Sequence, residues 1–194
     1  MILTRFKFIA LLTAAALGAT TLLAQDAPKK KKARPSPPAT VSADIDGNEV
    51  KIAYSRPSAT PPAGGEARKI WGGLVPDGKV WRTGANEATL LTAAKPIVIG
   101  GFALAAGTYS IFTVPQADGS AKLVINKKTG QWGIPYNEAN EKANELARVD
   151  LKPGKTAANV DPFTMAVEKT GVGAGVVKMA WADKEFSVAF TNAK

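Results

Sequence analysis

Beyond residue 39 the chain alternates apolar and polar positions with a period of two. Turn residues (Gly, Pro, Asn, Asp) cut that pattern roughly every eight to twelve residues. Val50, Ile52 and Tyr54 alternate with Lys51, Ala53 and Ser55; Phe186, Val188 and Phe190 repeat the pattern near the end. Thr40 to Ile45 and Glu49 to Ser55 flank Asp46-Gly47-Asn48, which predicts a β-hairpin. Further strands are expected at 80–82, 88–93, 97–99, 102–104, 108–114, 121–126, 146–151, 163–168, 176–181 and 185–191. Thr108 to Val114 is apolar on both faces, so that strand is expected at the centre and covered on both sides. Turns are expected at Lys152–Lys155, Gly171–Gly175 and Ala182–Lys184. Helix is expected only over Asn137–Leu146, capped by Asn137, with a single further turn near Lys69–Trp71. About ten short strands and at most one short helix predict an all-β antiparallel sandwich or jelly-roll-like domain. Alternation gives no strand order.

The first 39 residues read differently. Arg5 and Lys7 precede an apolar run from Ile9 to Leu23, and Ala24 is small, so residues 1–24 are expected to be a secretory signal. Residues 25–39 are rich in Lys and Pro without apolar periodicity, which predicts a disordered linker before one domain at 40–194. The protein is therefore expected to be exported, to the periplasm or beyond. Lys29, Lys30, Lys31 and Lys32 have two readings: a solvated spacer, or a contact with an anionic membrane surface.

Composition narrows the chemistry. The 194 residues include no Cys and no His. That removes disulfides, thiolate and imidazole metal sites, and Ser-His-Asp or Cys-His catalysis. No cofactor or metal is expected. Asp44-x-Asp46-Gly47-Asn48-Glu49 hints at a calcium loop but lacks the full spacing, and turn chemistry accounts for it. The net charge is +9, but from Ser36 onward 18 basic and 15 acidic residues leave only +3, which is no nucleic-acid footprint.

Candidate chemistry concentrates in Arg68 to Thr89, which holds Trp71, Trp81 and the run Arg82-Thr83-Gly84-Ala85-Asn86-Glu87. In one reading Arg82 and Glu87 pair across the loop, Thr83 and Asn86 satisfy its backbone, and the tryptophans are core. In the other, Arg82, Thr83, Asn86 and Glu87 line a polar pocket for a carbohydrate or a small anionic ligand. Trp71, Trp81 or Trp132 would then offer a stacking face, and Arg56 would join if its loop folds back. A carboxylate-based glycan hydrolase needs a second acid beside Glu87, and none stands out. A purely structural envelope protein is the third class. No catalytic residue is assigned.

The segments Tyr54-Ser55-Arg56-Pro57-Ser58, Lys69 to Pro76, Val80-Trp81-Arg82-Thr83-Gly84-Ala85-Asn86-Glu87-Ala88-Thr89, Ile99 to Pro115 and Asn126 to Gly133 resemble a family of secreted bacterial proteins called domain of unknown function 2911. The resemblance spans about residues 36–191; Ile134 to Ala147 departs from it, being longer and more helical. It implies a shared fold and export, and no established activity, cofactor or catalytic residue. A non-catalytic binding or envelope-associated module is the leading expectation.

Overall fold

The computed structural model describes residues 34–194. The expected signal segment 1–24 and Lys29–Lys32 lie outside the described residues. Nine strands form one antiparallel sheet in the order β1-β2-β3-β6-β7-β8-β9-β4-β5. They are β1 (Pro38–Asp44), β2 (Glu49–Ser55), β3 (Thr89–Ala93), β4 (Ile97–Ile99), β5 (Phe102–Leu104), β6 (Gly107–Pro115), β7 (Ala121–Asn126), β8 (Glu145–Gly171) and β9 (Ala174–Asn192). Pro38 and Ala39, expected at the end of the linker, thus belong to the sheet.

The first hairpin forms as its sequence dictates. Ile45 N and Asn48 N each donate to the other's carbonyl, at 2.9 and 3.2 Å, around Asp46 at φ 51°. Asp44 Oδ1 accepts from Gly47 N (2.9 Å). Asp46 binds Lys169 Nζ and Gly173 N, and these hold its carboxyl below the usual range. Turn and cross-sheet contacts therefore engage Asp44 and Asp46 of the apparent calcium loop. Asn48, fully buried, donates to Lys95 O and Asn192 Oδ1 and accepts from Lys95 N, tying this turn to the one at Lys95 and to the end of β9.

Strand β6 sits in the sheet interior, between β3 and β7. Ile111 faces the main core, while Phe112 and Val114 pack with Ala88 and Val124 in a second cluster on the other side. Tyr136 closes that cluster, its ring 4.8 Å from Phe112.

The largest departure from expectation is in the second half. Four expected strands are two long ones. Lys152-Pro153-Gly154-Lys155 is not a turn but paired backbone, opposite Ser187 to Lys184. Strand β8 pairs with β7 up to Leu151 and with β9 from Lys152. Pro153 thus sits where the strand changes partners, a place that tolerates a residue without an N–H. Ala182-Asp183-Lys184 is likewise within β9, where Ala182 at φ 54° marks an irregularity. It shifts the inward parity from Val177, Met179 and Trp181 to Phe186, Val188 and Phe190.

The expected helix shrinks to one turn, α1 (Glu138–Glu141), followed by a 3-10 turn. Asn137 Oδ1 does cap it, accepting from Ala139 N at 3.0 Å. No sustained apolar face supports a longer helix: Ala139 and Ala143 are exposed, and Leu146 belongs to β8. Residues 69–75 form reverse turns closed by a Trp71–Val75 bridge, not a helical turn. Trp81 makes only a single bridge pair with Thr113, so 80–82 is not a strand of the sheet.

The sheet folds over so that its inner faces share a core. Ile52, Leu91, Ile111 and Leu123 meet Phe163, Met165, Met179 and Phe186. Across that core Met165 N donates to Tyr54 Oη at 3.0 Å. At one end six aromatic rings interlock. Trp81 stacks on Trp181 (5.8 Å, 22°) and meets Trp71 and Phe163 edge-on (5.9 and 5.0 Å). Tyr54 and Phe186 complete the cluster.

Candidate functional site

Residues 83–87 follow closely on Trp81 of this aromatic cluster and pack against Thr113 of β6 and Ser55 of β2. Thr83 is buried at φ 52° and Asn86 sits at φ 59°, both in the left-handed region that non-glycine residues seldom enter. Gly84 between them has φ 144°, and a Cβ there would lie 2.8 Å from Ser55 O. The loop is held by backbone and hydroxyl contacts. Thr83 Oγ1 shares a 2.7 Å hydrogen bond with Thr113 Oγ1, and Thr89 Oγ1 donates to Thr83 O at 2.6 Å. Gly133 N donates to Asn86 O at 3.0 Å, and Asn86 Nδ2 donates to Ser36 O at 3.1 Å. Backbone strain of this kind persists where the surroundings over-determine it, and it gathers at functional sites.

The left-handed turns send Arg82 and Glu87 to different sides. The expected Arg82–Glu87 pair does not form. Glu87 is exposed and takes both carboxylate hydrogen bonds from Arg34 Nη1, at 2.7 and 2.9 Å. Its own backbone N–H, then Arg34, hold the carboxyl below its ordinary value. Such an environment keeps Glu87 ionised and opposes a general-acid role. Glu87 lines a small recess of about 180 Å³ with Pro38, Tyr54 and Leu90. Because the Arg34–Glu87 pair is solvent-exposed, Glu87→Gln is expected to leave the thermal midpoint within experimental scatter of wild type. A fall of several degrees in a melt would show that the pair holds the fold.

Arg82 turns the other way. Its stem runs over Gly133, where a Cβ would come within 2.6 Å of Arg82 Cβ and Cδ. Nε donates to Gly84 O at 3.3 Å, and among the described residues the two Nη groups have no acceptor and the guanidinium no carboxylate. Burial pushes its pKa down. Arg82 lines a cleft of about 440 Å³. Trp81 and Trp181 are at its base, Leu74, Pro76 and Ile134 on its walls, and Arg68 and Lys79 add positive charge. Among the described residues, no Asp or Glu lines it. Arg68 is already committed, donating through Nε to Ala59 O (3.0 Å) and through Nη2 to Ser58 O (2.7 Å). The Trp81 indole N–H has no acceptor among the described residues.

The six expected site residues therefore divide. Arg82 is in the cleft. Thr83, Asn86 and Glu87 build the loop and face away. Trp132 is 55% exposed beside Glu87, outside the cleft lining. Arg56 does not join; Nε donates to Phe163 O (3.2 Å) and Nη2 to Thr164 Oγ1 (2.9 Å), anchoring its loop to β8. Trp71 and Trp81 are core rings, with Trp71 Nε1 donating to Trp181 O at 2.9 Å. Sequence reasoning missed Lys79, Leu74 and Ile134 as a group. Lys79 stands three positions before Arg82, but nothing local brings Ile134 to them.

Asp161 fastens the cleft's far wall. Burial alone would raise its carboxyl, but hydrogen bonds from Ser58 Oγ (2.7 Å), Ala59 N (2.7 Å) and Trp181 Nε1 (3.0 Å) outweigh that and lower it. It thereby locks the Pro-rich 57–62 loop to the aromatic cluster.

The family described as "Protein of unknown function (DUF2911)" matches residues 36–190. No curated protein and no solved structure matches the chain.

Proposed function

This chain belongs to the DUF2911 family, whose description assigns no activity, and on that premise we propose that it is a non-catalytic binding module for a small anionic ligand, exported to the cell envelope. The observation that carries the reading is Arg82. A half-buried guanidinium with no counterion among the described residues is costly, because burial removes water without supplying a replacement charge. An anion entering the cleft supplies it. Arg82's free Nη groups then act as a fork for carboxylate or phosphate oxygens. The cleft volume, about 440 Å³, falls within the range of small-molecule sites. Export is read from residues 1–24 alone.

A hydrolase needs two carboxylates at a reacting bond, and this cleft has none in its described lining. Binding is the function the geometry supports best. Calorimetric titration of the chain with inorganic phosphate, glucuronate and octanoate tests it. At least one is expected to bind saturably, and Arg82→Gln to weaken it by about tenfold to a hundredfold, the worth of a hydrogen bond to a charged group. Thermal melts of the variant control for folding. Binding unchanged in Arg82→Gln, or no binding by any of the three, sinks the reading.

A further inference from the structure

We infer that the ligand of the Arg82 cleft is a free single-chain amphiphile, an acid head group on an apolar tail, rather than a sugar acid. The inference rests on the anion-binding reading above and names its ligand class. A sugar presents hydroxyls that must each find a partner once dehydrated. The cleft lining offers almost none: among the described residues Ser36 is its only hydroxyl, and no Asn, Gln, Asp, Glu or Tyr lines it. Its charged side chains, Lys79 and Arg82 with the partly committed Arg68, are donors only, so they suit the oxygens of an acid head and offer no acceptor to a sugar's hydroxyl hydrogens.

The rest of the lining is apolar. Pro57, Pro62, Pro76 and Val80 extend the aromatic base. Leu74 and Ile134 stand at 42% and 46% exposure, unusually open for large aliphatic side chains, and both line this cleft. Exposed apolar surface gathered beside a cation that is unpaired among the described residues is the complement of an amphiphile. The enclosing loops, 57–62 and residues 74–82, favour one molecule in the cleft over a flat bilayer surface.

The experiment is a calorimetric series on the chain with butanoate, hexanoate and octanoate, each kept below micelle formation. Affinity is expected to rise about fourfold per added methylene as the tail is buried. 1-Octanol is expected to bind at least tenfold more weakly than octanoate, and Arg82→Gln to erase that difference. Leu74→Ser and Ile134→Ser change exposed side chains, so they are expected to melt like wild type while flattening the chain-length slope. Glucuronate binding tighter than octanoate, or a flat series, overturns the inference. If phosphate or glucuronate still binds and is lost in Arg82→Gln, the anion site stands without the amphiphile. Sedimentation with phosphatidylglycerol vesicles, combined with no octanoate binding, overturns it in favour of a membrane surface. Silence from all soluble anions removes the anion site as well.

Discussion

Trp181→Ala is expected to lower the unfolding free energy by about 3–5 kcal/mol, the cost of emptying a large aromatic site. For a domain of this size that is a fall of roughly 6–20 °C in melting midpoint. Trp181 is 1% exposed and touches Trp81 and Phe163 at 5.8 and 5.9 Å. Its side chain donates to Asp161 while its carbonyl accepts from Trp71, so one residue joins β9 to the 69–75 turns and, through Asp161 of β8, to the 57–62 loop. Trp181→Phe refills most of the space and loses only the N–H, so it is expected to cost much less. Denaturant melts of both variants check this. Equal, small losses would mean that the cluster is not the anchor of this end of the core. Because Trp181 also lines the cleft, Trp181→Ala should abolish ligand binding, whereas the phenylalanine variant should retain part of it.

Gly84→Ala should be the most damaging single methyl in the loop. At φ 144° a side chain is strained by about 1–3 kcal/mol. Its Cβ would also press to 2.8 Å from Ser55 O, a backbone atom that cannot swing away. Overpacking of that kind costs typically about another 1–3 kcal/mol. The loop would shift, and with it Arg82, which precedes Gly84 by two residues and donates to its carbonyl. The expected result is a lower midpoint together with weaker anion binding, read by melts and calorimetry on the same preparation. Lost stability with intact binding would show that Arg82 is positioned by Gly133 alone.

These variants separate two roles that lie side by side in the sequence. Thr83, Asn86 and Glu87 serve the loop and its contacts with Thr113, Ser36 and Arg34. Of the four, Arg82 alone turns into the cleft. The adjacency that makes Arg82 to Glu87 look like one site is adjacency along the chain. Left-handed backbone at Thr83 and Asn86 dissolves it in space.

Alternation of apolar and polar residues is a local property, and what it specifies was legible. Strands β1 to β7 appear close to where period two places them, because each strand's own residues decide which side is buried. The two-sided apolar pattern of residues 108–114 likewise announced an interior strand. The absence of His and Cys, a matter of composition alone, bounded the chemistry. Pairing partners are not local. Pro153-Gly154 and Ala182-Asp183 carry turn chemistry, yet β8 and β9 run through them, because each strand's neighbour supplies hydrogen bonds that outweigh the residues' own preference. The cleft is the clearest case. Pro57, Leu74 with Arg82, Ile134 and Trp181 meet there from four separate parts of the chain, brought together by a sheet folded over its core. Local sequence marked an arginine in a glycine-rich, aromatic stretch as a candidate. Whether that arginine had a carboxylate opposite it, or open space and an apolar wall, depended on backbone dihedrals and strand order that no local pattern encodes.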